Sequence, residues 1–181
     1  MSKTRKWFLF LLIVLLAGLL SFFIYKIFIE EKPKVVVVLK DLNTQYWEIV
    51  KAGAEKGFED FGIEGSVLAT SSRNVEEQKE ILQRVLKEDP DILIVSPIRS
   101  DILPILEEFT KRDIPVLLLD TDESWEHKTA YIGTDNFVLG EKSGILMASQ
   151  LQPGDKVALL GGDTSVERER LKGARKSLIT A

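Results

Sequence analysis

Four short polar clusters hold the residue types that could do chemistry in this chain of 181 residues. Lys40, Asp41 and Asn43 form the first, with Tyr46 and Trp47 close behind. Ser96, Pro97 and Arg99 form the second, and Asp120, Thr121 and Asp122 the third. Thr134, Asp135 and Asn136 form the fourth. Carboxylates, hydroxyls and amides supply fixed hydrogen-bond donors and acceptors. Aromatic rings supply flat apolar faces. Together they suit a polyhydroxylated ligand, whose hydroxyls need polar partners and whose C–H faces pack on rings. Two plainer readings stand beside this one. Polar residues occur at ordinary turns, and Tyr46 with Trp47 can be the start of a helix.

Catalysis finds less support. The absence of Cys excludes disulfides, thiolate nucleophiles, Cys-based zinc sites and an N-terminal lipid on Cys. His127 is the sole His and stands in a charged stretch, where it is expected to be solvated. One His at no defined spacing gives no Ser–His–acid set. Gly161, Gly162, Asp163 and Thr164 resemble a phosphate loop at first sight. They lack the G-x-x-x-x-G-K-[ST] spacing and the Lys, so a tight turn is the expected role. No cluster has metal-ligand spacing, and no cofactor is expected. Glu167, Arg168, Glu169 and Arg170 resemble a solvated helix start, from which one arginine could point into a cleft.

The four clusters follow apolar runs at regular intervals. Residues 35–39, 66–69, 91–95, 115–119 and 129–132 have strand character. Residues 44–61, 74–88 and 101–112 have helical spacing, through Trp47, Val50, Ala54 and Phe58 in the first and Val75, Gln78, Leu82 and Val85 in the second. Asn74 with Glu77 is a capping-box arrangement. Strands that are continuous apolar runs are buried on both faces. The pattern predicts an open parallel α/β sheet with helices on both faces. Ligands of such sheets bind beyond the carboxyl ends of the strands, and the polar clusters stand there.

The pattern restarts after Asn136, with a helix expected over 137–151, a turn at Pro153, Gly154 and Asp155, a strand over 156–160 and a helix from Val166. We therefore expect an N-terminal lobe over 34–135, complete or nearly so, and the start of a second, partial α/β lobe over 136–181. With a cleft wall incomplete, the chain by itself is expected to bind its ligand weakly.

Ahead of both lobes, Lys3, Arg5 and Lys6 precede a nonpolar run from Trp7 to Tyr25. A bilayer needs roughly 20 apolar residues, so a transmembrane anchor is expected over 7–29, with residues 1–6 as a cytoplasmic basic tail and the body extracytoplasmic. A cleaved signal peptide has an apolar region of about 7–15 residues and a small-residue pair at the cleavage site. This run is longer, and Leu19 or Leu20 breaks each such pair through 17–21. The formal net charge is −4, and the three basic residues of the tail leave −7 on the remainder. That balance gives no footprint for nucleic acid.

The body resembles the periplasmic sugar-binding proteins of the ribose/galactose/xylose type. The resemblance rests on an ordered set. Asn43 and the Tyr46-Trp47 pair follow the first strand, then Lys51-Ala52-Gly53-Ala54-Glu55. Ile94-Val95-Ser96-Pro97 with Ser100-Asp101, Ile114-Pro115-Val116 leading to Asp120, Gly133-Thr134-Asp135-Asn136 before Gly140, and Arg168-Glu169-Arg170 before Gly173 complete it. It implies the type I binding-protein fold, two α/β lobes joined by a hinge, with the crossover near Asp135 and Asn136. It implies no enzyme activity and no cofactor. The ligand would be a monosaccharide, a pentose or hexose, sandwiched by Tyr46 and Trp47. Asp120 would accept its hydroxyls, and Arg170 would reach it from the second lobe. Lys40, Asn43, Ser96 and Thr121, from the clusters at the strand ends, complete the expected ligand-binding set. At Lys40, Ser96 and Thr121 the ribose-binding pattern carries a small hydroxyl residue, an amide and an arginine, so a sugar other than ribose is expected. A tethered member suits a membrane partner, a sensor histidine kinase or an ABC permease, with sensing favoured. A LacI-type regulator shares the core but would need an N-terminal helix-turn-helix where the apolar run stands. A membrane-bound flavodoxin-like enzyme would need a nucleophile–base pair.

Overall fold

The computed structural model describes residues 3–28, 32–152, 154–162 and 164–180. They form two units, 1–32 and 33–181. In the first, α1 (Lys3–Phe28) is a 26-residue helix with no polar face. Its described apolar side chains run from Phe10 to Phe22, interrupted by Gly18 and Ser21. Among the described residues no helix is long and apolar enough to cross a membrane. The anchor expected over 7–29 ends at Ile29, outside them.

The second unit holds one sheet. β1 (Lys34–Leu39), β2 (Glu64–Ala69), β3 (Ile92–Val95), β4 (Val116–Leu119) and β5 (Ala130–Ile132) lie in the order β2-β1-β3-β4-β5. Each neighbouring pair is parallel. The chain connects the strands through α2 (Gln45–Phe61), α3 (Val75–Glu88) and α4 (Leu103–Thr110), the last entered by a 3-10 turn. α5 (Asn136–Ala148) and α6 (Ser165–Thr180) follow the sheet.

The valine run of β1 shows why the sheet is covered on both sides. Val36 and Val38 pack with Leu82, Val85, Leu106 and Phe109 on one face, while Val37 and Leu39 pack with Trp47 on the other. Each such side chain contributes about 1.5–3 kcal/mol on burial. Gln78, counted in the apolar spacing of α3, is fully buried yet polar. Its amide donates to Ser96 O at 2.9 Å and accepts from Ile98 N at 3.0 Å, fixing the loop after β3.

The helix ends refine the sequence pattern. Asn74 caps α3, its Oδ1 accepting from Glu76 N and Glu77 N at 2.9 and 3.1 Å. The Glu77 carboxylate does not complete the expected box. It accepts from Ser71 N at 3.0 Å and Ser71 Oγ at 2.9 Å, and so pins the loop before the helix. A reciprocal box occurs instead at α6. Thr164 Oγ1 accepts from Glu167 N at 3.3 Å, and the Glu167 carboxylate accepts from Thr164 N at 3.1 Å. Thr164 thus caps a helix, and no phosphate-loop geometry is needed to explain it. Asp163 and Pro153 lie outside the described residues.

The strand expected over 156–160 is corrected. These residues have no regular secondary structure and pair with no strand among the described residues. An apolar run becomes a strand only where a neighbour takes its backbone hydrogen bonds. α5 and α6 pack on each other instead. A Cβ on Gly140 would lie 2.1 Å from Arg170 O, and one on Gly173 would lie 2.1 Å from Phe137 O. Ser177 Oγ donates to Glu141 O at 3.0 Å across the same contact. Gly140→Ala should therefore separate the helices and cost about 1–3 kcal/mol, as overpacking does. Gly53→Ala, mid-helix with open space around it, should be neutral or add up to about 1 kcal/mol. Thermal melts of the two variants check this, and an unchanged midpoint for Gly140→Ala would refute the close approach.

Candidate functional site

Strand order places the rim. In the order β2-β1-β3-β4-β5 the winding reverses between β1 and β3, and ligands of doubly wound sheets bind in the crevice at that switch. Lys40 leaves β1 there and Asp120 leaves β4 two strands away. The Lys40 side chain crosses the end of β3 to reach it. Its Nζ donates to Asp120 Oδ2 at 3.2 Å and to Thr121 Oγ1. The hydroxyl of Tyr46, at the start of α2, donates to the other oxygen, Asp120 Oδ1, at 2.9 Å. Burial, then the Asp120 carboxylate that accepts its proton, pushes the Tyr46 phenol up to about 12.

Asp120 itself has φ 65, a left-handed conformation that a non-Gly residue seldom holds. Backbone in such regions persists where surroundings over-determine it, and it clusters at ligand sites. Here Asp120 N donates to Ile132 O at 2.9 Å, and Asp120 O lies 2.9 Å from the Tyr131 hydroxyl.

Five of the eight expected residues therefore come together: Lys40, Tyr46, Trp47, Asp120 and Thr121. Trp47 does so from below. Its ring is 4.8 Å from that of Tyr46, edge-on at 77°, and 5.7 Å from the Lys40 ammonium. It is only 2% exposed, packed with Val37 and Leu39, so Trp47 supports the floor and Tyr46, half-exposed, offers the open ring.

The other three point to different partners. Asn43 Nδ2 donates to Ser71 O at 2.8 Å, joining the loop after β1 to the loop after β2. Ser96 is fully buried at the end of β3, and its Oγ has no hydrogen-bond partner among the described residues. Arg170 Nε donates to Asn136 Oδ1 at 2.8 Å, tying α6 to the first residue of α5. From Asn136 a bonded path runs back to the rim. Asn136 Nδ2 donates to Thr134 O at 3.1 Å, and the Tyr131 hydroxyl lies 3.1 Å from that same oxygen. Tyr131 is the rim residue that sequence reasoning missed, because it stands inside the strand expected over 129–132 and the site residues were sought beyond the strand ends. Among the described residues no group of side chains could hold a metal.

A cavity of about 610 Å³ opens beside this path. Asp122, Tyr131, Asn136, Arg168 and Lys172 are among its walls. None of the eight expected residues lines it. The cavity lies between the β4–β5 loop and the first turns of α5 and α6, and Ser165 Oγ donates across it to Asp122 O at 2.7 Å. His127, expected to be solvated, is exposed, and it also lies 2.7 Å from the Glu107 carboxylate, which accepts from the Trp125 indole as well. Those contacts fasten the β4–β5 loop to α4.

The first rim carboxylate, Asp41, is almost fully buried and pairs with Arg73. Burial pushes its carboxyl up, but the Arg73 hydrogen bond and the Asn43 N–H outweigh that and leave it below its ordinary value. A folded-state pKa below the unfolded one, about 3.9, adds stability that is present above that value. The stability is lost as pH falls through the folded-state pKa. Arg73→Met should therefore cost about 1–2 kcal/mol at neutral pH, less than a fully buried pair because Arg73 is half-exposed. It should also move acid unfolding to higher pH. Circular dichroism against pH checks this, and an unmoved acid midpoint would mean that Arg73 does not hold Asp41 ionised.

Comparison with known proteins agrees with the fold. The family model described as a periplasmic binding protein domain matches residues 35–179. The ribose import binding protein RbsB of Escherichia coli K12 is 27% identical over 150 residues, which cover 81% of this chain and 50% of RbsB. The chain thus spans about half the length of the curated relatives it matches. Among solved structures, GanP, a glucose-galactose binding protein from Geobacillus stearothermophilus, is 26% identical with a TM-score of 0.75, over 83% of this chain and 55% of GanP. The XylFII–LytSN complex matches at 25% identity and a TM-score of 0.73, over 82% of this chain and 56% of that one.

Proposed function

The chain belongs to the periplasmic binding protein domain family, and from that premise we propose that it binds a small sugar at the rim formed by Lys40, Tyr46, Asp120 and Thr121, outside the membrane, without chemical turnover. The observation that carries this reading is the convergence on Asp120. Its two carboxylate oxygens each receive a donor from a different element, beside an open tyrosine ring. A carboxylate held in this way can accept hydroxyls of a pentose or hexose while the ring packs on C–H faces. Relatives named for ribose and for glucose and galactose support the ligand class.

Titration of the full chain in nanodiscs with D-ribose, D-xylose, D-glucose and D-galactose, followed by amide shifts in NMR, tests the reading. At least one sugar should perturb the amides of Lys40, Tyr46, Asp120 and Thr121. Asp120→Ala should weaken that sugar by roughly tenfold or more, the usual scale for a charge-assisted hydrogen bond. Shifts confined to other surfaces, or none with any sugar, would end it.

The same proposal makes α1 a membrane anchor. Support comes from the basic residues ahead of the apolar run and from the exposed rings and aliphatic chains around the described helix, Trp7 at 71% and Leu20 at 65% among them. A tether of this kind keeps the binding unit beside a membrane partner, a sensor histidine kinase or an ABC permease. The structure of XylFII with LytSN supports a partner protein for this kind of fold. The full chain should resist carbonate extraction from membranes, and deletion of residues 1–28 should release it. Release of the full chain by carbonate would refute the anchor.

A further inference from the structure

The charges along the rim cancel locally. Three carboxylates follow β1 and β4 within three residues of the strand ends, and each meets a cation of this chain. Asp41 pairs with Arg73, Asp120 with Lys40 and Asp122 with Lys128. Asp135, after β5, is used as the cap of α5, accepting from Val138 N at 2.9 Å. Glu123 stands further along the loop, where Ser165 Oγ is 3.4 Å from its carboxylate. Burial pushes the Glu123 carboxyl up, toward its neutral form.

Of the three pairs, only Lys40–Asp120 spans the crevice between β1 and β4. Asp41 faces back toward the loop after β2, and Asp122 pairs within its own loop with Lys128, which also donates to Glu123 O at 2.9 Å. The ammonium of Lys40 is held from three sides, by Asp120, the Thr121 hydroxyl and the Trp47 ring. Its side chain is 17% exposed and that of Asp120 is 32% exposed, so neither charge is dispersed in bulk water. A ligand entering here meets a carboxylate already neutralised by a fixed cation.

We infer that Lys40 sets the charge selectivity of this site: it makes the rim take neutral polyols and refuse sugars bearing a carboxylate or an ammonium group. This rests on the sugar-binding reading and names the ligand class within it. The physical reason is the cost of desolvating an unpaired charge. A uronate would bring a second anion to Asp120, and an amino sugar would bring a second cation to Lys40; the counter-charge each would seek there is already engaged, Lys40 with Asp120. A neutral hydroxyl meets no such penalty. It can donate to a remaining lone pair of Asp120, and its oxygen can accept from the ammonium.

The test has two arms, both on the full chain in nanodiscs. The first measures relative affinity by NMR titration for D-glucose and D-galactose, each against its uronate and its 2-amino-2-deoxy analogue. Wild type should favour the neutral member of each series by roughly tenfold or more. Lys40→Met should shift preference toward the amino sugar, and Asp120→Asn toward the uronate. The double variant should return toward the neutral sugar. A wild type that prefers either charged analogue, or a Lys40→Met variant with unchanged preference, overturns the inference and leaves the sugar reading standing. Binding by none of the six overturns this ligand class. The second arm needs no ligand. A thermal double-mutant cycle of Lys40→Met and Asp120→Asn should show coupling between the two sites. Additive effects would show that Lys40 does not neutralise Asp120, and would sink the charge argument whatever binds.

Discussion

A parallel sheet delivers the carboxyl end of every strand to one edge, and the rest of this structure depends on that constraint. Five strands that run in one direction bring five loops side by side. The strand order then decides which loops oppose each other. Because β3 lies between β1 and β4, a residue leaving β1 can meet one leaving β4 only by reaching across. Lysine has the length to do so, and Lys40 does. The sheet order by itself is common to many unrelated functions. Function enters with the side chains at the edge.

Those side chains are fixed by a second layer of bonds. The loop after β2 is tied to the loop after β1 through Asn43 to Ser71 and Arg73 to Asp41. Gln78 fixes the loop after β3. Glu107 holds the β4–β5 loop through Trp125 and His127. A rim braced in this way can hold Asp120 in its left-handed conformation and keep its carboxylate aimed at Lys40 and Tyr46. A ligand site built on braced loops binds with less loss of conformational freedom than one built on loose loops.

Beyond the sheet the architecture changes in kind. α5 and α6 meet through glycines, with backbone against backbone, and the described residues between them form no strand. The bonds of Arg170 to Asn136 and of Ser165 to Asp122 connect this pair to the loops at the end of the sheet. The path from Arg170 through Asn136, Thr134 and Tyr131 ends at Asp120.

The sequence by itself determined the strands and helices of the sheet, because short valine and leucine runs of strand length alternate there with amphipathic stretches of helical spacing, the pattern of a parallel sheet covered on both faces. It also determined that polar clusters sit at one edge, and it pointed to the family through an ordered set of short motifs. It did not decide the strand of 156–160, because hydrophobic character cannot say whether a pairing partner is present. Its helical stripe through Trp47, Val50, Ala54 and Phe58 put Trp47 on the core side, and these four do pack in one cluster; the sandwich of a sugar by both rings, implied by the resemblance, asked Trp47 to be open as well. Only the tertiary structure buried Ser96, sent Arg170 to Asn136 and brought Lys40 to Asp120. Those outcomes depend on the lateral order of strands, and no local spacing in the chain encodes that order.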